Sequence, residues 1–246
     1  MAFLELTLSS AVLQMHTSVR VILPDTGDLS KVPAIYLLHG LTDNCTGWTR
    51  YTACELYARE HGVALILPEV QRSFYIDGVH GLNYFTYVSQ ELPREMHRIF
   101  GLSTQREKNF VMGLSMGGYG ALKCALTHPQ NYAGAASFSG VCDIASFFGS
   151  VSQGNMDREL PALLGDGREV GPENDLFRLL EAQDPAALPP IYTACGEQDP
   201  MYPMNRAFAE ALKNQGAVHR FDHRAGDHCW RFWDQAFQDA LSYFFE

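Results

Sequence analysis

The chain has 246 residues, 46% of them hydrophobic and 19% charged, a balance that suits a globular protein with a sizeable core. Its formal net charge of −10, without any dense basic patch, argues against nucleic acid and anionic membrane surfaces as main partners. Cys45, Cys54, Cys124, Cys142, Cys195 and Cys229 are scattered and form no CxxC pair, which argues against a metal site and a compact disulfide framework.

No apolar run approaches the ~18 residues of a membrane span. The first residues, MAFLELTLSSAVLQMH, alternate apolar and polar positions and carry Glu5, unlike the basic start and apolar core of a signal peptide. These features lead us to expect a cytoplasmic protein with reduced thiols.

In chain order, FLELTL and SVRVIL show period-two patterning and predict one or two strands. PDTG makes a turn, and VPAIYLLHG is a continuous apolar run, the pattern of a strand buried on both faces. WTRYTACELYAREHG predicts one helix stopped at Gly62, followed by a second buried strand in VALILPEV. Asn83 to Phe100 is amphipathic and predicts a helix that starts late or bends at Pro93.

KNFVMGLS then predicts a strand, MGGYGALKCALTHP a helix and YAGAASFSG a strand. PPIYTACG, RAFAEALKNQG, VHRFDH and WRFWDQAFQDALSYFF continue as strand, helix, strand, helix. Repeated β-α units with doubly buried strands imply an α/β fold: a mostly parallel central sheet with helices on both faces, in a single domain over residues 1–246. Residues 143–188 break the alternation with glycine-rich stretches and short helical pieces such as LFRLLEAQ. The expectation is a small lid-like insertion over the carboxyl edge of the sheet, with a plain surface excursion as the alternative.

Chemistry concentrates at FVMGLSMGGYGA, where Gly113-Leu114-Ser115-Met116-Gly117 matches G-x-S-x-G between a strand and a helix. A strand-to-helix turn that sharp crowds the positions two before and two after the serine, so glycine fills both. Gly118 and Gly120 are expected to let the following helix pack closely on the sheet. A serine hydroxyl needs a histidine base held by a carboxylate. In α/β-hydrolase topology the order is Ser, then Asp or Glu, then His, each on a loop after a strand.

Asp199, after the strand IYTACG, and His228, between VHRFDH and the last helix, fit that order. Glu197 and Asp227 are the rival carboxylates, and His219 and His223 the rival bases, though both histidines fall on the strand itself. A tetrahedral intermediate also needs two donors for its oxyanion. The N–H of Met116 is one, and the N–H of Leu41, after Gly40 in LLHGLTDN, is the other. His39 is read as a structural residue of that loop.

LLHGLTDN, NYFTYVSQELP, REKNFVMGLSMGGYGALKCAL, ASFSG, CGEQD and GDHCWRFW together resemble the tributyrin esterases of the esterase D group, from about residue 3 to the C-terminus. The resemblance implies the α/β-hydrolase fold and cleavage of short-chain acyl esters, acetyl or butyryl, with no cofactor. It sets the family's nucleophile, acid and base motifs on Ser115, Asp199 and His228, and its oxyanion loop on Leu41. Its implied partner is a small-molecule ester, and a homo-oligomer is compatible with it.

In the family the segment SFYIDGVHGLNYF approaches the active site, which makes Tyr75, Asp77 and His80 candidate substrate-binding residues. Trp230, with Phe147, Phe148 and Met201, is a candidate wall of an apolar acyl slot. Cys45 and Cys229 are candidate sites of thiol sensitivity, with two buried inert thiols as the alternative. The related S-formylglutathione hydrolases are the main alternative activity. Their oxyanion loop commonly reads GLTC, whereas HGLTDNC places the cysteine later, at Cys45. Feruloyl and acetyl-carbohydrate esterases are further alternatives, and a non-catalytic binding protein is disfavoured by the complete triad.

Overall fold

The structure is a computed structural model that describes residues 1–151 and 156–246, so residues 152–155 of the expected insertion lie outside the described residues. Ala2–Ser10 (β1) and Met15–Leu23 (β2) pair as an antiparallel hairpin, from Ala2 opposite Leu23 to Ser10 opposite Met15. Buried Glu91 holds the turn by accepting hydrogen bonds from the Ser10 hydroxyl and from the Ala11 N–H at 2.8 Å.

Ala34–Leu38 (β3), Ala64–Pro68 (β4), Asn109–Leu114 (β5), Gly134–Phe138 (β6), Ile191–Gly196 (β7) and His219–Arg224 (β8) complete the sheet. Its strand order is β1-β2-β4-β3-β5-β6-β7-β8. β2 runs antiparallel to β4, and every pairing from β4 to β8 is parallel. The mostly parallel sheet expected from the alternation is therefore present, extended on one side by the N-terminal hairpin.

The sheet divides two cores, and the period of two along each central strand explains how. Ala34, Tyr36 and Leu38 of β3 join one apolar cluster, while Ile35 and Leu37 join the other. The first cluster is closed by Leu92–Phe100 (α4), Met116–Thr127 (α5), Leu176–Glu181 (α8) and Tyr202–Gln215 (α9). The second is closed by Gly47–Tyr51 (α1), Cys54–His61 (α2) and Trp230–Phe245 (α10). Short helices Tyr84–Thr86 (α3), Ile144–Val151 (α6) and Leu160–Leu164 (α7) fill the connections. This is the α/β-hydrolase architecture, and no helix of the described residues is long and apolar enough to cross a membrane.

Two helix expectations change. The single helix from Trp48 to Gly62 is broken at Thr52, whose φ of −134° and ψ of 168° are extended. The next N–H, that of Ala53, donates to Asp234 Oδ1 at 3.2 Å, a partner far along the chain that local propensity could not reveal. Pro93 does not delay its helix: winding is continuous from Tyr84 to Phe100, and the turn directly before the proline, Tyr87–Glu91, is wound as a π-helix, a local rewinding that suits a residue with no N–H to donate.

Candidate active site

The carboxyl ends of β3, β5, β7 and β8 all face one edge of the sheet, and the loops leaving them carry the candidate residues. β5 passes into α5 through Ser115, whose backbone sits at φ 53°, ψ −117°, a region that non-glycine residues seldom occupy. The tightness of the turn accounts for its glycines. A Cβ on Gly113 would stand 2.4 Å from the Gly117 carbonyl oxygen, and one on Gly117 would stand 2.4 Å from that of Leu38. Gly118 admits Ser137 of β6, as a close helix-sheet contact requires, since a Cβ there would lie 2.6 Å from its Oγ. Gly120 does something else: it receives the ring of Tyr75, which would lie 2.5 Å from an added Cβ.

Ser115 Oγ lies 3.0 Å from His228 Nε2, and His228 Nδ1 lies 2.9 Å from Asp199 Oδ2 and 3.1 Å from Oδ1. Asp199 is only 3% exposed and also accepts the Met201 N–H at 2.8 Å. Burial raises its carboxyl, but hydrogen bonds from His228, Ser139 and the Met201 backbone outweigh that cost and hold it below the usual carboxylate range. The ring of Trp233 packs edge-on against His228 at 4.8 Å, and its Nε1–H is anchored on Ser139 Oγ at 3.1 Å. Base and carboxylate are thus fixed from both sides.

The rival groups are occupied elsewhere. Glu197 pairs with His223 at 2.9 Å, both exposed, and His219 meets Thr193 Oγ1 at 2.9 Å. Asp227 makes no side-chain hydrogen bond or ion pair with His228 among the described residues, although its carbonyl accepts the Cys229 N–H at 2.9 Å.

Gly40 brings the loop after β3 close to the serine, since a Cβ on it would sit 3.6 Å from the Ser115 Cβ. Leu41 follows directly. Among the described residues, neither the Leu41 N–H nor the Met116 N–H donates to a protein acceptor. His39 is buried and braces the loop. Its Nδ1 meets the Gly40 carbonyl at 2.8 Å and its Nε2 faces the Val70 N–H at 3.2 Å. That pair of contacts suits one neutral tautomer, with Nδ1–H as donor, and burial correspondingly lowers the tendency of the ring to protonate.

Ser115 opens into a cleft of about 540 Å³. Phe74, Val141, Phe147, Met201, Trp230 and Trp233 give it a largely apolar lining, to which Thr42 and Asp43 add polar groups. Trp230, Phe147 and Met201 therefore stand where the sequence reading placed them. Phe148 instead packs behind, with its ring 4.8 Å from that of Phe74.

Tyr75, Asp77 and His80 are not brought to the cleft. Consecutive positive φ values at Phe74 and Tyr75, both 51°, turn Phe74 toward the cleft and Tyr75 beneath it. Tyr75 is fully buried and its hydroxyl donates to the His39 carbonyl at 3.0 Å. Asp77 is spent on Thr86, accepting from its N–H at 2.9 Å and its hydroxyl at 2.6 Å. The exposed His80 donates its backbone N–H to the Ala162 carbonyl at 3.0 Å.

Thr42, Asp43, Phe74, Val141 and Trp233 of the cleft had escaped the sequence reading. Phe74 was masked by its neighbour, because alternation alone cannot tell which of two adjacent aromatics faces inward. Asp43, two residues past Leu41 in HGLTDNC, looked like ordinary loop polarity. Of the two thiols, Cys229 lines the cleft, whereas Cys45 is buried away from it and pushed up to about 11 by burial.

Among known proteins, the chain is 29% identical over 264 residues to an acetyl esterase of Caldicellulosiruptor saccharolyticus, covering 99% of this chain and 98% of that one. The solved structure of FphF, a fluorophosphonate-binding serine hydrolase of Staphylococcus aureus with substrate bound, is 33% identical. It superposes with a TM-score of 0.89 over 100% of this chain and 98% of its own. FrmB from the same organism, described as an S-formylglutathione hydrolase, is 32% identical with a TM-score of 0.88, over 100% and 99% of the two chains. A family model described as "Putative esterase" matches residues 10–244, and the chain belongs to that esterase family.

Proposed function

We propose that this esterase hydrolyses esters of short, uncharged acyl groups through an acyl-serine, with Ser115 as nucleophile, His228 as base and Asp199 as its orienter. The observation that carries the reading is the unbroken contact series from Ser115 Oγ to His228 Nε2 at 3.0 Å and from His228 Nδ1 to Asp199 at 2.9 Å. In the first half-reaction Ser115 Oγ attacks the ester carbonyl carbon while His228 Nε2 takes the hydroxyl proton. The negative charge that develops on the carbonyl oxygen is met by the N–H groups of Leu41 and Met116, which have no protein acceptor among the described residues, in support of this role. As the C–O bond to the alcohol breaks, His228 returns its proton to the leaving oxygen. Water then repeats the sequence on the acyl-serine and releases the carboxylic acid.

Short, uncharged acyl groups are favoured because Phe74, Val141, Phe147 and Met201 make much of the cleft lining apolar. The acetyl esterase relative supports the same chain length. We also propose that residues 1–246 form one domain in which 143–188 serves as a substrate wall, a reading supported by Phe147 of α6 at the cleft.

A second reading, hydrolysis of S-formylglutathione, is favoured by the full-length likeness to FrmB. Against it, no lysine or arginine lines the cleft among the described residues to receive the carboxylates of glutathione. Turnover of p-nitrophenyl acetate, p-nitrophenyl butyrate and S-formylglutathione by purified protein separates the two. The first reading expects the simple esters to have the higher kcat/KM, and a tenfold advantage for the thioester would replace it with the second. Fluorophosphonate labelling confined to Ser115 is expected, and labelling elsewhere would remove the acyl-serine assignment.

A further inference from the structure

Lys123 of α5 is 2% exposed and forms no ion pair among the described residues. Its Nζ meets three groups from three other segments. It donates to the Tyr75 carbonyl in the loop after β4 at 3.0 Å and to Asn174 Oδ1 ahead of α8 at 2.6 Å. It also lies 4.2 Å from the centroid of the Phe85 ring of α3. Each of the three is an acceptor, two oxygens and one π face. An ammonium has three hydrogens and no lone pair, so it can satisfy all of them together. A neutral amine has two hydrogens. It must give up one contact and set its lone pair against an oxygen or the electron-rich face of the ring.

These contacts bear on the cleft. The Tyr75 carbonyl belongs to the second of two consecutive left-handed residues, Phe74 and Tyr75, both at φ 51°. Such a pair persists only where its surroundings over-determine it. Holding it keeps Phe74 in the cleft lining and the Tyr75 hydroxyl on the His39 carbonyl, beneath the Leu41 loop. At the other acceptor, Lys123 and the Tyr119 hydroxyl, which donates to the Asn174 carbonyl at 2.7 Å, fasten the 143–188 excursion to α5.

From this geometry we propose that Lys123 is a positioning residue of the esterase, and that loss of its proton loosens the Phe74–Tyr75 turn and the Leu41 donor loop, lowering turnover at alkaline pH. The inference rests on the acyl-serine reading above and goes beyond it. Burial brings the loss within reach by lowering Lys123 from its ordinary value of 10.5 to about 8. The carboxylates of Asp77, in the loop after β4, and of Glu173, in the turn before α8, favour the charged form. Cys124, beside it on α5, is pushed up to about 12 by burial and stays a thiol. Burial likewise keeps the hydroxyls of Tyr75 and Tyr119 protonated. His128, whose ring stacks on Phe85 at 5.8 Å, is lowered by burial and is neutral. Near pH 8, Lys123 is therefore the member of this cluster that changes charge.

The test is the pH profile of phenyl acetate turnover by purified protein from pH 6.5 to 9.5, in wild type, Lys123→Met and Phe85→Leu. We expect wild-type kcat/KM to fall on the order of tenfold around a midpoint near 8, the cost of a loosened rather than a deleted oxyanion donor. Lys123→Met should be flat over the same range, at about the alkaline level of the wild type. Phe85→Leu removes one acceptor and keeps the amine, so its midpoint should move down by about half a unit or more. A role in packing alone would lower activity without moving a midpoint. A wild-type profile flat to pH 9.5, a decline that survives in Lys123→Met, or a midpoint unmoved in Phe85→Leu overturns the inference. Where Lys123→Met does not fold, the Phe85→Leu midpoint decides. Fluorophosphonate labelling of Ser115 at pH 7 separates the two readings: with labelling intact, these outcomes remove only the role of Lys123. Absence of both labelling and turnover overturns the acyl-serine reading and the role of Lys123 with it.

Discussion

Replacing Tyr75 by Phe removes one oxygen and leaves the ring against Gly120, so it isolates the single hydrogen bond beneath the oxyanion loop. Tyr75 is fully buried and His39 is 1% exposed, which means water cannot replace the lost donor to the His39 carbonyl. An unsatisfied buried acceptor costs about 1–3 kcal/mol. For a chain of this size about 2–4 °C of melting temperature accompanies each kcal/mol, which predicts a drop of about 2–12 °C. The carbonyl released is one residue before Gly40 and two before Leu41, so the donor loop loosens as well. Losing an oxyanion donor outright costs about 10²–10³ in kcat, and a loosened donor should cost less, on the order of tenfold. Thermal melts and p-nitrophenyl esters from acetate to hexanoate provide the assay. kcat should fall by a similar factor for every ester, with the chain-length profile unchanged. An unaltered melting temperature with a shifted chain-length profile would refute this account and make Tyr75 a pocket residue after all.

Ser115→Ala and His228→Ala should each lower kcat by about 10⁴-fold or more, and the double variant should be little worse than either, since the two act as one unit. Asp199→Asn should cost about 10⁴-fold by favouring the wrong imidazole tautomer, and retention of most activity would shift the orienting role away from it. Gly117→Ala drives a Cβ to 2.4 Å from the Leu38 carbonyl, so we expect α5 to shift and stability to fall by about 1–3 kcal/mol or more; wild-type melting and activity would contradict the packing argument. His219 is lowered to about 4 by burial, below its ordinary value of 6.5. The unfolded chain therefore binds the extra proton first, and stability is lost as pH falls from about 6.5 toward 4. Discounted for partial exposure, the loss is on the order of 1–2 kcal/mol. His219→Gln should flatten the difference between melts at pH 7.5 and pH 5, and parallel losses in both proteins would refute the assignment.

The reaction class was readable because its signals are local. G-x-S-x-G declares a turn that glycine alone permits, and the positions of Asp199 and His228 after β7 and β8 follow from the order of apolar runs. What escaped reading depends on distant partners. The break at Thr52 is stabilised by Asp234 of α10, and the π-wound turn at Tyr87–Glu91 contains the carboxylate that ties down the β1–β2 turn. Tyr75 was misread because two successive left-handed residues invert which side chain faces the cleft, and the space it occupies is created by Gly120 in another element. Asp43 gave no pattern at all: a single carboxylate in a loop shows its place at the cleft only once the loop after β3 is folded against the serine turn.

α5 has a mechanical consequence beyond presenting the serine. Its first residue supplies the Met116 N–H, and Gly120 seats the tyrosine that props the Leu41 loop. Further along, Tyr119 donates its hydroxyl to the Asn174 carbonyl at 2.7 Å, and buried Lys123 donates to the Tyr75 carbonyl at 3.0 Å and to Asn174 Oδ1 at 2.6 Å. Nucleophile, donor loop and the 143–188 excursion are thus all gauged from one common datum. When that helix drifts, its dependants drift with it, and the error in their mutual spacing is smaller than the displacement of any one of them. Tolerances at the reacting atoms are set by the short links to α5 rather than by the accumulated slack of the whole chain.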